Sequence, residues 1–396
     1  MVKKIALNLA VLLIAAAIWL PFVHFFFKPD LSEYYSEKGV PPMARMLAAR
    51  HLEIWTDSEL RKLELEKMQI MNPEWDFMSR TYFVLALANM ALRDLSYKPE
   101  ALDIMDAIIE NTLIIEEEKG FPHFLMGYGK MGGWVMEPAA SQFVDGEIAL
   151  MICARRLVEE KAAYRRVLSG LTEHMISRMK RSPVLNAESY PDECWMFCNS
   201  VSIAAIRIAD ILDKTNHSDF IDAWLKSARE KLTESSTGIL ISAFGVDGTP
   251  AACGFGPEGT TIWMVCNMLQ PVDGAYAREQ YNRAKKELAR SFLWFGYARE
   301  WPEAVMGRPD VDSGPIVPFL EASAGSSGLA LIGAASFKDA DFLSQLITSL
   351  NLAGFPSVSD GKLRYMASNP TGDAVMLYAL VQGPLWEEVE SRKKDV

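Results

Sequence analysis

Behind residue 28 the chain carries apolar residues three and four positions apart along most of its length, with short breaks rich in Gly, Pro, Asn or Asp. This pattern is typical of helices that each bury one face. It predicts about twelve of them, near residues 58–70, 77–94, 99–115, 142–160, 162–180, 195–213, 217–233, 261–269, 275–295, 315–335, 339–352 and 373–381. One segment, GILISAF at 238–244, favours a strand, as half of a short hairpin with the following VDG turn.

The arrangement of these helices is predicted from their number and spacing. No Ser/Gly linker or block of like charge divides the body, so residues 29–396 read as one domain. Twelve helices that pair as successive hairpins close most simply into an all-α (α/α)6 barrel with a short β-hairpin. A helical solenoid is the alternative, but the sequence has no strict repeat of about 33 to 45 residues.

The first 28 residues read as a membrane anchor. Ile5 to Phe27 is an apolar run of 23 residues, and as a helix it would be about 35 Å long, enough to cross about 30 Å of hydrocarbon. A cleaved signal peptide is the alternative, but the run ends in FFFKPD without a small-residue cleavage site. Lys3 and Lys4 predict a single-pass protein of the inner membrane, with a cytoplasmic amino terminus and residues 28–396 on the other side, the periplasm in a bacterium.

Composition narrows the classes of partner and cofactor. Half of the 396 residues are hydrophobic and 23% are charged, which is typical of a globular protein. The formal net charge of −11 disfavours nucleic acid as a partner. Five scattered cysteines form neither a disulfide framework nor a metal-finger spacing. The stretch GYGKMGG lacks the strand and the Lys-Ser/Thr pair of a phosphate loop, which disfavours nucleotide binding. From these patterns together we expect no metal and no cofactor.

Five long breaks in the helical pattern are rich in aromatic residues, Gly and carboxylates. Loops of this length and composition belong to binding sites more often than to simple connections. We therefore expect them to line the mouth of a central cup at one end of the barrel. They cover residues 121–134, 188–200, 253–263, 300–314 and 363–373.

The block YPDECWMFCNSV at 190–201 resembles the linalool dehydratase/isomerase family. Pro191–Asp192 and the Cys-Asn-Ser-Val at 198–201 stand at the separation that this family has, and the similarity extends over roughly residues 80–380, through 259–268, 310–314 and 356–366. The resemblance implies the (α/α)6 barrel, a lyase or isomerase activity, and assembly into a homo-oligomer. Two family positions differ here, with Ser189 in place of a second cysteine and Glu147 in place of a histidine.

Carboxyl groups in a cup lined by aromatic residues suggest acid–base catalysis. Removal from water raises the pKa of a carboxyl group until it can hold a proton near neutral pH. We expect Glu147 to donate a proton to a leaving oxygen, with Cys198 or Asp192 as the base. The residues expected to contact the substrate are His123, Phe143, Asp145, Ser189, Tyr190, Asn199, Trp263, Asp310, Asp312 and Tyr365.

Each of these residues also has a structural interpretation. Asp145 and Glu147 stand where acids stabilise a helix start, and Asp192 could do the same for the next helix. Cys198 could be a buried core thiol, Tyr190 a packed loop anchor and His123 a structural histidine. Asp310 and Asp312 could belong to a turn.

Three functions remain open from the sequence. The first is a membrane-anchored, cofactor-free lyase or isomerase, a hydro-lyase that acts on a small or lipid-like hydroxylated substrate of the terpenoid type. The second is a glycan-processing hydrolase or lyase on the same barrel, favoured by ten tryptophans and numerous carboxylates. The third is a barrel that only binds a partner or lipid, which predicts a cup filled by its own side chains.

Overall fold

The computed structural model describes residues 2–250, 256–305, 307, 310–311 and 314–393. Most of these residues are helical. The helices are α1 (Val2–Trp19), α2 (Leu31–Tyr34), α3 (Pro42–Thr56), α4 (Ser58–Met71), α5 (Pro73–Arg93), α6 (Lys98–Lys119), α7 (Gln142–Val158), α8 (Ala162–Met179), α9 (Met196–Asp213), α10 (Ser218–Lys231), α11 (Gly259–Leu269), α12 (Gly274–Leu288), α13 (Ala324–Ser336), α14 (Ala340–Ala353), α15 (Pro370–Leu380) and α16 (Pro384–Lys393).

Short strands lie in the connections between the helices. They are β1 (Cys194–Trp195), β2 (Ala243–Phe244), β3 (Ala289–Phe292), β4 (Phe295–Arg299), β5 (Asp310–Val311), β6 (Gly314–Pro315), β7 (Ala322–Ser323), β8 (Pro356–Ser359) and β9 (Lys362–Tyr365). All pairings are antiparallel: β1 with β2, β3 with β4, β4 with β7, β5 with β6, and β8 with β9. Four 3₁₀ helices complete the elements of the described residues, at Leu20–Phe26, Leu95–Tyr97, Phe121–Phe124 and Gly127–Lys130.

Six helices form the centre of the body. Helices α5, α7, α9, α11, α13 and α15 are buried along most of their length. Each contacts the next one in this order, and α15 also contacts α5. Helices α6, α8, α10, α12 and α14 each follow one inner helix and contact it from outside. Their polar residues face water while their apolar stripes cover the inner helices, and the helical period is clearest in α10, α12 and α14.

The inner helices all begin at one end of the body. Each of the first five is followed, after a short connection, by an outer helix that runs back along it, as in an αα-hairpin. Hydrogen bonds between distant parts of the chain support the common direction of the inner helices. Thr371 Oγ1 at the start of α15 donates to the carbonyl of Trp75 at the start of α5, at 2.9 Å. Toward the other end, Leu385 N donates to Asn89 Oδ1 at 3.0 Å. We call these the site end and the far end.

The amino-terminal helix stands apart from this body. No residue of α1 is buried, and within the described chain it is the one helix long and apolar enough to cross a membrane. A segment of this kind near the amino terminus is compatible with a membrane anchor or a signal sequence. The α-helix ends at Trp19, before Pro21, and a 3₁₀ helix continues to Phe26. The carbonyl of Phe27 then accepts a hydrogen bond from Asn351 Nδ2 at 3.0 Å, which ties this segment to the end of α14.

The helices predicted from periodicity are present, with shifted ends and three additions, α2, α3 and α16. The helix predicted from residue 315 begins at Ala324, where the Ser323 hydroxyl accepts a hydrogen bond from Ser326 N at 3.1 Å. The predicted strand at 238–244 is reduced to β2, which pairs with β1, and across the predicted turn Phe244 also forms an antiparallel bridge with Pro250. The hairpins β3–β4 and β8–β9 were missed.

Candidate active site

Glu147 lies at the centre of the candidate site, in the second turn of α7, with 2% of its surface exposed. The preceding residue explains how α7 comes close to α9: a Cβ at Gly146 would lie 2.6 Å from Ser202 Oγ and 3.4 Å from the Cys198 carbonyl. Burial raises the pKa of Glu147 from 4.5 to about 8, while the nearby Thr81 hydroxyl acts weakly in the opposite direction. Glu147 therefore holds its proton at neutral pH.

Cys198 on α9 belongs to the same interior cluster. Burial raises the pKa of its thiol well above 9.0; the Ser189 hydroxyl counteracts this, while Glu147 and Glu74 raise it further. These influences place the thiol within electrostatic range of both carboxyl groups. Cys198 and Glu147 are therefore close enough to influence each other electrostatically, but the thiol is protonated at rest, which does not favour it as the base.

A second carboxyl group stands at the entrance to the cluster. The hydroxyl of Tyr190 donates a hydrogen bond to Glu74 Oε1, in the first turn of α5, and accepts one from Met126 N at 2.8 Å. Burial and then the charge of Glu74 raise the pKa of Tyr190, so the phenol keeps its proton. Its ring stacks on Tyr128 with centroids 4.5 Å apart, and a Cβ at Gly129 would meet it at 2.7 Å.

Glu193 lies next to this entrance, between two aromatic side chains. Its Oε2 accepts hydrogen bonds from the Tyr128 hydroxyl at 3.2 Å and from Trp195 Nε1 at 3.3 Å. The rings of Tyr128 and Trp195 are partly exposed, so aromatic faces and a carboxylate occur together in a group at the site end, which we call the mouth.

The loops that carry these groups are held by one buried carboxylate, Glu188. It accepts hydrogen bonds from Val135 N at 2.8 Å, Met136 N at 2.7 Å and Asp192 N at 2.8 Å. Three backbone donors on one carboxylate satisfy polar groups of two separate loops at once. Glu188 therefore fixes the loop before α7 against the loop before α9.

Below Glu147 the interior continues as a polar floor. Burial, followed by the charge of Glu147, raises the pKa of Tyr82. The pKa of Tyr378 is raised chiefly by burial, with Glu147 contributing. Tyr378 donates to Asn267 Oδ1 at 2.8 Å, and Asn267 Nδ2 donates to Gln382 Oε1 at 3.2 Å. This floor consists of neutral groups, so it supplies hydrogen bonds and leaves Glu147 without a cationic partner there.

A second acid with a raised pKa lies at the start of α15. Burial raises the pKa of Asp373 from 3.8 to about 6, against the opposing charge of Arg50, with which it forms an ion pair. Tyr365 lies within electrostatic range of this carboxylate and contacts Tyr34, and burial raises its pKa. On α3, burial lowers the pKa of His51 to about 3, so this histidine is neutral.

The structure corrects three of the predicted site residues. Asp192 is exposed, with a left-handed backbone (φ 54°), and its Oδ1 accepts from Val246 N at 3.4 Å, so it does not join Glu147 and Cys198. Asn199 is buried, but both its amide groups bond to backbone atoms of residues 187 and 195, which leaves none for a substrate. Asp145 points away from the interior, 3.3 Å from His174 Nδ1.

Trp263 also faces away from the inner ring. Its Nε1 donates to Ser326 Oγ at 3.1 Å, and its ring packs against Tyr281 of α12 and Phe342 of α14, each at 6.1 Å between centroids. The tryptophan thus fills the space between inner and outer helices. This packing against the outer helices does not favour the predicted contact of Trp263 with a substrate.

The remaining predicted residues have mixed positions. Phe143 is buried at the start of α7, edge-on to Phe77 with centroids 5.2 Å apart. His123 is half-buried, and its pKa falls to about 4 because of burial and the charges of nearby basic residues on α5, α6 and the following loop. The backbone of Asp310 lies in β5 and pairs with Pro315. Asp312 lies outside the described residues.

Sequence reasoning missed Glu74, Arg50 and the tyrosines of the floor. Glu74 had a signal, since it follows Asn72 and Pro73 at a helix start, but an acid in a first turn is explained equally well by the helix dipole. Arg50 lies on α3, which was not predicted as a helix. Within the part of the chain that the structure describes, no group of His, Cys, Asp and Glu side chains could hold a metal ion.

Comparison with known proteins adds a family and a fold. A sequence model of the linalool dehydratase/isomerase family matches residues 147–370, more than half of the chain, and it begins at Glu147. The match confirms the resemblance that the sequence predicted.

Among the solved structures that are similar to this one are two GH76 enzymes. An inactive variant of the GH76 α-1,6-mannanase of a Salegentibacter species, in complex with α-1,6-mannotetrose, has a TM-score of 0.51 at 10% identity, covering 87% of this chain and 98% of that chain. A GH76 α-mannanase of Bacteroides thetaiotaomicron has a TM-score of 0.46 at 12% identity, covering 79% of this chain and 87% of that chain. At such identity the likeness to the first concerns the helical fold alone.

Proposed function

Since this chain belongs to the linalool dehydratase/isomerase family, we propose that it is a cofactor-free acid–base lyase and isomerase, a hydro-lyase acting on a small or lipid-like hydroxylated substrate of the terpenoid type. The observation that carries the proposal is the buried, protonated carboxyl group of Glu147, with a pKa of about 8. A neutral acid in a water-poor interior is the group that elimination of an alcohol requires.

In the proposed dehydration Glu147 gives its proton to the substrate hydroxyl. The C–O bond breaks, its electron pair leaves with the oxygen as water, and positive charge develops on the carbon. Glu74 then takes a proton from the adjacent carbon, whose C–H electrons form the double bond. The Tyr190 hydrogen bond orients Glu74, and the nearby aromatic rings stabilise the cationic carbon. Addition of water at another carbon by the reverse steps gives the isomerised alcohol.

Glu74 replaces the bases that the sequence suggested. Asp192 is exposed, and the Cys198 thiol is held protonated by burial and by two carboxyl groups. We propose that Cys198 contacts the substrate as a neutral, polarisable side chain between the acid and the base.

Substitution at the two carboxyl groups tests this assignment. Acyclic terpene alcohols are incubated with the full chain, and alkenes and isomerised alcohols are measured by gas chromatography and mass spectrometry. Glu147→Gln and Glu74→Gln should each lower kcat by about 10²–10⁴. Cys198→Ala should keep more activity than either, and Glu118→Gln, at an exposed position of α6, should keep all of it. Unchanged turnover in Glu147→Gln would refute the role of this acid.

We further propose that residues 29–396 form a closed (α/α)6 barrel and that residues 1–28 anchor it in the inner membrane. Support for the barrel comes from the sequence of contacts among the six inner helices, including that of α15 with α5. Support for the anchor comes from the exposed apolar helix α1, with Lys3 and Lys4 before it. Resistance to carbonate extraction, with protease digestion of the body from the periplasmic side, is the expected result.

A second candidate is a glycan hydrolase or lyase on the same barrel. The observation that favours it is the mouth, where Tyr128 and Trp195 flank the carboxylate of Glu193. Aromatic faces beside a carboxylate are suited to binding a sugar ring. Release of new reducing ends from oligosaccharides, without any water-loss product from terpene alcohols, would favour this candidate over the first.

A further inference from the structure

The exposed apolar side chains of the body are distributed unevenly between its two ends. In the connections at the far end, the described residues include one large apolar side chain that is exposed, Leu95. The connections at the site end expose many, among them four that we call the seat: Phe292, Trp294, Phe355 and Met366. A patch of this kind on a folded protein marks a surface that meets a partner or a membrane.

The seat adjoins the place where the amino-terminal segment meets the body. The ring of His24 stacks on Trp294 with centroids 5.8 Å apart, and Lys28 Nζ lies 6.0 Å from the centre of the same ring. Phe27 packs against Phe295 in β4, at 6.2 Å between centroids. The chain that leaves α1 therefore runs directly onto the tip of the β3–β4 hairpin.

The second hairpin belongs to the same region. Asn351, near the end of α14, donates to the carbonyl of Phe27, and Phe355 follows one turn later. Met366 N donates to the carbonyl of Phe355 at 3.2 Å, so these two residues are neighbours. Both hairpins thus present apolar residues close to the emerging segment.

The backbone at these tips is one that apolar residues rarely adopt. Leu293 and Trp294 form a two-residue turn with φ of 49° and 69°, and Phe355 has φ of 51°. Glycine or asparagine is favoured at such positions, so the fold bears both the backbone strain and the exposure of aromatic rings to water. A lipid environment removes the cost of exposing these aromatic rings to water, and tryptophan in particular favours the membrane interface.

We propose that the seat rests on the lipid bilayer, so that the site end of the inner ring faces the membrane. This inference rests on the proposed anchoring of α1 and deepens the proposed function, because an apolar alcohol dissolved in the bilayer then reaches the candidate site without crossing water. Lys28 lies against the Trp294 ring, and the exposed Arg364 stands two residues before Met366 in the chain. Both side chains are suited to contact lipid headgroups.

Spin labels on the full chain test this inference. Single cysteines replace Phe355, Met366, Leu12 in α1, and Leu95 at the far end, in a Cys253→Ser background, since the other four cysteines are buried. The labelled protein is reconstituted in vesicles of phosphatidylethanolamine and phosphatidylglycerol. Collision of each label with oxygen is compared with collision with a water-soluble nickel complex. Labels at Phe355, Met366 and Leu12 should collide more with oxygen, as labels in lipid do, and we say that they favour oxygen. The Leu95 label should collide more with the nickel complex, as labels in water do, and so favour nickel.

The outcomes separate the seat from the anchor. If the labels at Phe355 and Met366 favour nickel as Leu95 does while Leu12 favours oxygen, the anchor stands and the seat is refuted. If the Leu12 label favours nickel, the anchor is refuted, and the inference that rests on it falls as well. Strong spin–spin broadening between copies labelled at Phe355 would show that a second chain covers the surface, which also overturns the proposal.

Discussion

Replacing Glu147 by glutamine should remove a measurable part of the pH dependence of stability. In the folded protein the pKa of this carboxyl group is about 8, against 4.5 when it is exposed in the unfolded chain. Between these pH values the unfolded chain has released the proton and the folded protein has kept it, so the free energy of unfolding falls as the pH rises. Stability is therefore greatest below about pH 4.5 with respect to this group, and lowest above about pH 8.

The magnitude follows from the two pKa values. Each pKa unit corresponds to about 1.4 kcal/mol, so full ionisation of Glu147 costs the folded state about 5 kcal/mol. About 3 kcal/mol of this has been lost by pH 7. Glutamine has the same shape and does not titrate, so the Glu147→Gln variant should lack this contribution and lose less stability as the pH rises.

Urea unfolding of the detergent-solubilised full chain, measured by circular dichroism at several pH values between about 5 and 8, gives the comparison. The difference in unfolding free energy between variant and wild type should grow in favour of the variant by about 2–3 kcal/mol from pH 5 to pH 7. Glu118→Gln, at an exposed position of α6, should follow the wild type. Parallel curves for Glu147→Gln and the wild type would mean that Glu147 ionises near its ordinary pKa, and the argument for a proton donor would fail.

Three other substitutions test the contacts that build the site. Gly146→Ala puts a Cβ 2.6 Å from Ser202 Oγ and should cost about 1–3 kcal/mol in urea unfolding, most of which Ser202→Ala should recover. Glu188→Gln weakens three backbone hydrogen bonds, so amide exchange in residues 133–136 and 190–193 should become faster, with a loss of about 1–3 kcal/mol. Asp373→Asn removes a carboxyl group whose pKa is raised from 3.8 to about 6, so the wild type should lose unfolding free energy between about pH 4 and pH 6 that the variant keeps, whereas parallel curves would contradict the burial of this acid.

The helical architecture could be predicted because most outer helices carry an amphipathic period of apolar residues. The inner helices are buried on nearly all sides, so periodicity cannot tell which face of them looks inward. This is why Trp263 was assigned to the cup although its ring packs against Tyr281 and Phe342 in the outer layer. Asn199 was misassigned for a related reason, since its burial does not reveal that backbone groups already use its amide.

The loops were harder to predict than the helices. Asp192 and Glu193 are adjacent, and the left-handed backbone at Asp192 decides that the first is exposed and the second reaches Tyr128. Asp360–Gly361 marks the turn of β8–β9 with the usual Asp-Gly signal, whereas the Leu293–Trp294 turn of β3–β4 has no sequence signature at all. Glu147 could be found because the resemblance directs attention to its position; its raised pKa depends on burial, which only the structure reveals.

The contact between α15 and α5 joins parts of the chain that are synthesised at very different times. Thr371 bonds to the carbonyl of Trp75 across a separation of 296 residues. During translation α5 therefore emerges long before the helix that covers one of its apolar flanks, and that flank stays exposed until almost the whole polypeptide has been made. Newly made chains of this protein should depend on chaperones for most of their synthesis, and loss of only the last few dozen residues should leave a product that aggregates.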